Sequence, residues 1–450
     1  MWNRISDFID RHRLINKEGL HLVALSGGAD SVAMLLILEK LGYRIEAAHC
    51  NFHLRGEESD RDEAFVCALC EAHQIPIHLA HFETREYAAL HKVSIEMSAR
   101  ELRYRYFEQL RQDLGASSIC VAHHRDDAVE TLLMNLMRGG GIHGLTGIHP
   151  KNGYVVRPML AVSRQEIEDF LLSVGQSYVT DSTNLVDDVL RNKIRLNLIP
   201  LMEQILANSS ENISRTAEHI SEAEKVYSQA IASEKSEIVR AMKPSIALPD
   251  AESTYSVKTQ ELLALPSPES FLYEWLSPYG FTSAQILQIY AHLGTTTTGQ
   301  TFQTASHQLY IEREELIVIP QQMPIPSQKI PETGIYLFSS TLKFRFELSD
   351  DISISKSSDC ITLDGGKVLF PLTIRPIKEG DRFQPFGMKG KKLVSDYLTD
   401  SKTPLLEKRR QLVVTDKNGN IIWLVGRRTD HRYRVDETTT SVLRIEIMLN

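Results

Sequence analysis

Residues Leu22 to Leu38 read LVALSGGADSVAMLLIL, an apolar run, a Ser-Gly-Gly turn and a further apolar run. That order describes a strand, a tight loop and a helix. Paired glycines let the backbone approach an anion without a Cβ in the way, and the first amides of the helix point at it with the positive end of their dipole. Ser26, Gly27, Gly28, Ala29, Asp30 and Ser31 are therefore candidate phosphate ligands, with two hydroxyls and one carboxylate added to the amides. The loop has no G-K-[ST], and Gly27-Gly28 does not make a G-x-G-x-x-G, so neither a Walker loop nor a dinucleotide fingerprint is present. Two more groups can do chemistry. Asp126, Asp127 and Glu130 fall at the start of a helical stretch, on one face, where they can cap the helix and also take a proton. Arg100, Arg103, Arg191 and Arg195, with Asn192 beside them, supply fixed positive charge. Arg191 and Arg195 are four residues apart and share a helix face, which suits a leaving anion as well as it suits solvent.

These residues need a scaffold, and the first 200 or so residues alternate β-rich runs with amphipathic stretches, the pattern of a parallel sheet covered by helices. Strands are expected at His21 to Leu25, Arg44 to His49, Ile75 to Leu79 and Ile119 to His123. Helices are expected at Ser31 to Leu41, Glu96 to Leu114 and Asp127 to Arg138. From Leu190 to about Val239 the chain reads as a charged helical connector, ended by Pro244 and Pro249. A small mixed region follows, with a polar loop at Thr295 to Gly299 and one alternating strand from Gln308 to Ile319. Pro320 to Pro326 reads as a linker, and the rest as short alternating strands such as Lys343 to Leu348, Gln411 to Thr415 and Ile421 to Val425. A chain of 450 residues exceeds one core, and the expected division is 1–215, 216–326 and 327–450.

The loop SGGADS resembles the PP-loop SGGxDS of the N-type ATP pyrophosphatases. Further stretches resemble the lysidine synthetase family within that superfamily: His49 to Asp60, Glu96 to Tyr104, His123 to Thr131, Leu190 to Arg195 with Pro200, and, near the C-terminus, Gly380 to Gly390 and Ser395 to Tyr397. Phe52 stands where many members carry histidine, Leu196-Asn197 where a basic residue is common, and Thr429 where isoleucine is frequent. The resemblance implies an α/β fold: a parallel-sheet, adenine-nucleotide α-hydrolase-like (PP-loop) N-terminal domain, a helical connector and smaller α+β or β-rich C-terminal domains.

It also implies a reaction, in which C2 of cytidine 34 in the CAU anticodon of tRNA(Ile) is adenylated by ATP and attacked by the ε-amine of free L-lysine, leaving AMP and pyrophosphate. Pyrophosphate leaves as a polyanion, so Mg²⁺, loop amides and arginines are expected around it. Asp30 is expected to hold Mg²⁺ or orient the loop. Lysine is protonated near neutral pH, so one of Asp126, Asp127 and Glu130 is expected to serve its amine. His123 and His124 are expected to be structural or to contact RNA rather than to bind a metal, and no metal ligand set is assigned.

RNA requires cations elsewhere. The net charge is −8, yet Arg375 to Arg434 holds 15 Lys and Arg against 7 Asp and Glu. Arg55, Lys389, Lys391, Lys392, Arg409, Arg410, Arg427 and Arg432 are the expected phosphate contacts, with Phe383, Phe386 and Tyr433 available to stack.

A tRNA thiolase built on the same loop would need a catalytic cysteine pair or an iron–sulfur set. The five cysteines serve it poorly, since Cys67 and Cys70 sit at helical spacing in EAFVCALCEAH and read as buried core thiols. An RNA-binding protein without turnover is disfavoured by the intact carboxylates. An odd, small cysteine count, no long apolar run and no secretory leader place the protein in the cytoplasm, with a homodimer left open.

Overall fold

The computed structural model describes residues 1–180, 190–243, 245–248, 253–293, 299–312, 314–321, 325–355, 357 and 359–449. Pro244 and Pro249, read above as the end of the helical connector, Thr295 to Thr298 of the polar loop, and residues 322–324 of the proline linker lie outside the described residues. The chain divides into two compact units, Met1–Ser228 and Gln229–Asn450. No described helix is long and apolar enough to cross a membrane.

The first unit runs α1 (Trp2–His12), β1 (Leu20–Ala24), α2 (Ala29–Lys40), β2 (Arg44–Asn51), α3 (Glu57–Ala72), β3 (Ile77–His81), α4 (Thr84–His91), α5 (Ile95–Asp113), β4 (Ser118–Cys120), α6 (Arg125–Met137), α7 (Ile142–Leu145), β5 (Lys151–Asn152), β6 (Val155–Val156) and α8 (Arg164–Val174). The sheet order is β3-β2-β1-β4-β6-β5, parallel except for β5. Leu22 and Val23 are fully buried, as a central parallel strand covered on both faces requires. Helix α2 is apolar nearly all round, with every residue from Ala29 to Leu38 except Asp30 buried, so it passes through the core rather than over it. The phosphate loop is thereby anchored at both ends. Strand β4 stops at Cys120, three residues short of the expected end, because His123 and His124 already turn into α6.

The helical stretch is in three pieces: α9 (Leu190–Lys193) with a π turn (Ile194–Leu198), α10 (Ile199–Ile205), and α11 (Ser209–Ile238). Pro200 has no N–H to return and its ring crowds the carbonyl four residues back, so the turn before it opens and Ile199 N–H reaches Ile194 O instead.

The other unit continues β7 (Arg240–Ala241), β8 (Tyr255–Lys258), α12 (Thr259–Leu263), α13 (Pro268–Leu276), α14 (Ser283–His292), β9 (Gln300–Gln303), β10 (His307–Ile311) and β11 (Glu315–Pro320). The expected single strand from Gln308 to Ile319 is a hairpin, β10 pairing antiparallel with β11. Charges at Glu312, Glu314 and Glu315 interrupt the apolar alternation there, and the main chain turns as Glu312 N–H donates to Glu315 O. Then come β12 (Gln328–Ile330), β13 (Gly334–Leu337), β14 (Leu342–Ser349), β15 (Cys360–Asp364), β16 (Leu372–Pro376), β17 (Arg382–Phe383), β18 (Lys392–Leu393), α15 (Val394–Asp400), α16 (Leu405–Arg409), β19 (Leu412–Thr415), β20 (Ile421–Leu424) and β21 (Val442–Leu449). Sheets β12-β16-β19-β20 and β13-β14-β21-β15 bury Phe344, Phe346, Ile374, Trp423 and Ile445 between them. That is the β-rich C-terminal architecture expected from the short alternating runs.

Candidate active site

The turn after β1 explains its own sequence. Gly27 has φ +89°, and a Cβ there would meet Val66 Cγ1 at 3.3 Å, so both backbone and space call for glycine. Gly28 is extended and caps α2. Ser31 Oγ donates to Gly28 O at 3.0 Å and accepts from Ser26 N–H at 3.1 Å, and Val179 N–H holds Gly27 O at 2.9 Å. The loop is braced by its own hydroxyls before any anion arrives.

Helix α6 starts beside it. His124 is the N-cap, and Asp127 Oδ2 accepts the His124 amide at 3.1 Å, so one carboxylate both caps and faces the site. His124 Nε2 lies 3.5 Å from Asp127 Oδ2 and 3.9 Å from Asp30 Oδ1, which brings the carboxylates of the loop and of α6 to one place. Burial pushes the Asp30 carboxyl up and Asp127 adds to this, against His124 and Arg164. For Asp127, burial acts upward too, but His124, His123, the His124 amide and Arg191 outweigh it and hold the group below the usual carboxylate range. Glu130 is completely buried and accepts from Arg191 Nε at 2.8 Å and Arg195 Nε at 2.6 Å. Arg195 also reaches Asp127 Oδ1 at 3.2 Å. Asn192 lies between the two arginines in α9. Asp126 turns the other way, its Oδ2 accepting the Arg164 amide at 2.9 Å.

A cavity of about 610 Å³ opens at the C-terminal ends of β1, β2 and β4, where an open parallel sheet ordinarily takes its ligand. Ser26, Asp30, Ser31, Arg55, Arg100, Arg103 and Asp127 line it. Glu130, Arg191 and Arg195 stand behind Asp127. The Arg100 guanidinium lies 5.0 Å over Tyr104, and that of Arg103 lies 5.3 Å over Phe52, which is itself stacked on Phe82. The unusual Phe52 thus floors an arginine. Arg55 pairs with Asp62 at 3.1 Å.

Sequence reasoning passed over Arg157 and Arg164. Arg157 Nε donates to His123 Nδ1 at 3.1 Å, and since arginine can only donate, His123 is neutral with its proton on Nε2. Burial is the main reason its pKa falls to about 4. No spacing links residues 34 apart, and only the Arg157-Pro158 step after β6 marks the position. Cys70 is buried in the core with its thiol pushed up to about 11 by burial, as expected, but Cys67, expected to be buried with it, is only partly buried, because the core-facing side of α3 carries Val66, Leu69 and Cys70 instead; all five cysteines are free.

The basic stretch of the C-terminal unit sorts into two kinds. Arg432 is bound through Nε and Nη2 to the completely buried Asp430, Arg427 reaches Glu407 at 2.6 Å and Gln411 at 2.8 Å, Lys392 pairs with Asp400, and Arg410 donates to Ala247 O. Lys389, Lys391 and Arg409 are exposed, Arg409 lying 5.7 Å over Tyr310. Phe383 and Tyr433 are buried, so of the three aromatics expected to stack only Phe386 is half exposed.

Comparison with known proteins gives the family. Residues 3–202 match the PP-loop domain family, 250–321 the TilS substrate binding domain and 372–447 the TilS substrate C-terminal domain. A tRNA(Ile)-lysidine synthase of Parabacteroides distasonis is 44% identical over 451 residues, covering 100% of both chains. Enzymes of the same name from Bacteroides thetaiotaomicron and Bacillus subtilis are 42% and 31% identical, covering 99% and 94% of this chain and 99% and 92% of their own. With the braced phosphate loop and matches that run the length of the chain, the protein belongs to the tRNA(Ile)-lysidine synthase family.

Proposed function

We propose that the chain joins L-lysine to C2 of cytidine 34 in the CAU anticodon of tRNA(Ile), through an adenylated intermediate, converting ATP to AMP and pyrophosphate. The observation that carries this reading is one cavity lined by the phosphate loop, by Arg100 and Arg103, and by Asp127. In it the loop amides and the hydroxyls of Ser26 and Ser31 hold the β- and γ-phosphates, leaving the α-phosphate open to the cytosine oxygen. Arg100 and Arg103 meet the charge that grows on the departing pyrophosphate. AMP then leaves as the lysine ε-nitrogen bonds to C2, and the amine gives up its proton.

Asp127 is the carboxylate for that proton or for the ammonium before it, since it faces the cavity while Glu130 is occupied by two arginines and Asp126 by the start of α8. Arg191 and Arg195 orient Asp127 and Glu130, with Asn192 placed beside them.

Among the described residues no group of three or more His, Cys, Asp or Glu could hold a metal by itself. Asp30 nevertheless fits Mg²⁺ that arrives with ATP, because such a cation can take a single protein carboxylate and complete its shell with phosphate oxygens and water. Asp30 Oδ1 is buried without a hydrogen-bond partner, which is the oxygen such a cation would take. When bound, the cation neutralises phosphate charge and favours departure of pyrophosphate.

We assign the chemistry to residues 1–215, and tRNA placement to residues 216–326 and 327–450 with Lys389, Lys391 and Arg409 as the phosphate contacts in the last. Incubation with tRNA(Ile) bearing CAU, ATP and labelled lysine tests the reading. Label in the nucleoside together with one pyrophosphate per lysine is expected; sulfur incorporation, or pyrophosphate release without lysine transfer to RNA, would overturn it.

A further inference from the structure

Arg164 belongs to none of the motifs that mark the site, yet it holds the aspartate of the phosphate loop. It is the first residue of α8, behind the Ser163 N-cap and its reciprocal partner Glu166. Its side chain and backbone make three contacts: Nη1 donates to Asp30 Oδ2 at 2.7 Å, Nε to Glu168 Oε1 at 2.7 Å, and its own amide to Asp126 Oδ2 at 2.9 Å. The residue therefore ties the start of α8 to the starts of α2 and α6. Ile167 and Leu171 of the same helix are fully buried in the core that contains Val32, Ala33 and Leu35 of α2. The anchor point is thus packed against the helix that carries Asp30. A guanidinium is a rigid planar fork, so Glu168 on one edge aims the other edge at Asp30. That leaves Asp30 Oδ1, which is buried, has no donor and lies 3.9 Å from His124 Nε2. An acceptor in that condition is costly unless something positive completes it.

We infer that Arg164 is a positioning residue for the reaction: it occupies Asp30 Oδ2, leaves Oδ1 alone for the divalent cation that accompanies ATP, and offsets the charge of Asp30 until that cation arrives. The inference rests on the reading of the loop as an ATP site. Two consequences follow from the two halves of the role. Without the positive charge, Asp30 and Asp127 attract a cation more strongly. Without the fork, Asp30 is free to rotate, and the cation it holds is misplaced for the α-phosphate. Affinity for the cation and turnover thus move in opposite directions, which simple loss of a structural ion pair does not produce.

The test uses the full-length protein with Arg164→Ala, Arg164→Lys and Glu168→Gln. Mn²⁺ binding is read by electron paramagnetic resonance, alone and with ATP, alongside steady-state pyrophosphate release and melting temperature. Arg164→Ala should bind Mn²⁺ about threefold or more tightly, while kcat falls about ten- to a hundredfold, as misplacement of a reacting group does. Arg164→Lys restores the charge and should return Mn²⁺ affinity to the wild-type value with only part of kcat. Glu168→Gln keeps the contact to Asp30 and should lower kcat less than either. A kcat within twofold of wild type in Arg164→Ala overturns the inference. So does a fall in kcat that tracks melting temperature with Mn²⁺ affinity unchanged. If the wild-type protein itself shows no ATP-dependent Mn²⁺ binding, the ATP reading of the loop fails and takes the inference with it.

Discussion

The arginines around the phosphate loop and the basic stretch near the C-terminus are similar in composition but are used differently. Arg164, Arg191 and Arg195 are all paired, and of their partners Glu130 is completely buried while Asp30 and Asp127 are partly buried at the cavity wall, so each ion pair fixes a carboxylate that faces or supports a cavity. In the C-terminal unit, pairing takes cations out of use. Arg432, Arg427 and Lys392 serve the fold, and Lys389, Lys391 and Arg409 remain exposed. A local charge count therefore overstates the surface that can meet a polyanion. The same count understates a catalytic site, where paired charges preorganise rather than attract.

The largest expected effect breaks the comparison at its catalytic side. Asp30→Ala should lower pyrophosphate release by about 10² to 10³, the scale of removing one preorganised group at a developing charge, and Ser31→Ala should lower it by less. Both should stay folded by circular dichroism. Release at the wild-type rate in both would show that the loop does not take the nucleotide.

A smaller effect separates the two kinds of cation in the C-terminal unit. Replacing Lys389, Lys391 and Arg409 together with Gln should weaken tRNA binding about tenfold at moderate salt and lower the salt slope by roughly 0.7 to 0.9 for each phosphate no longer neutralised, without changing ATP affinity. Arg432→Ala should instead cost about 2 to 4 kcal/mol in urea unfolding, since it leaves the completely buried Asp430 without its counter-charge; this is set below the full cost of breaking a buried pair because Arg432 is partly exposed. An unchanged salt slope in the triple variant, or an unchanged unfolding midpoint in Arg432→Ala, would dissolve the distinction.

The smallest effect concerns pH. The His123 pKa is depressed to about 4 in the folded protein, chiefly by burial, so the unfolded chain binds this proton first. Its contribution to stability is present above about pH 6.5 and is lost as pH falls towards 4. In His123→Gln the melting temperature should decline less steeply over that window. Parallel declines would place His123 in a more hydrated setting than its contacts indicate.

Much of this was legible in the residues themselves. The phosphate loop was readable because a strand, a glycine turn and an apolar helix are local, and the backbone needs of Gly27 do not depend on distant chain. The Arg191 and Arg195 pair was readable from spacing alone, though not the π turn that Pro200 imposes on it. The hairpin inside Gln308 to Ile319 was missed because alternation continues on both sides of its turn.

Periodicity and short motifs were thus enough to point to the family and to the α/β and β-rich parts, and to propose most of the groups now seen around the cavity. Folding in three dimensions was needed to establish which carboxylate faces the cavity, that Arg157 sets the tautomer of His123, that Arg164 holds Asp30, and which cations of the basic stretch are already taken. Each of those is a contact between residues distant in the chain, or a choice among equivalent neighbours. Packing of α8 and α6 against the sheet makes that choice at the catalytic site, and a one-dimensional pattern carries no record of it.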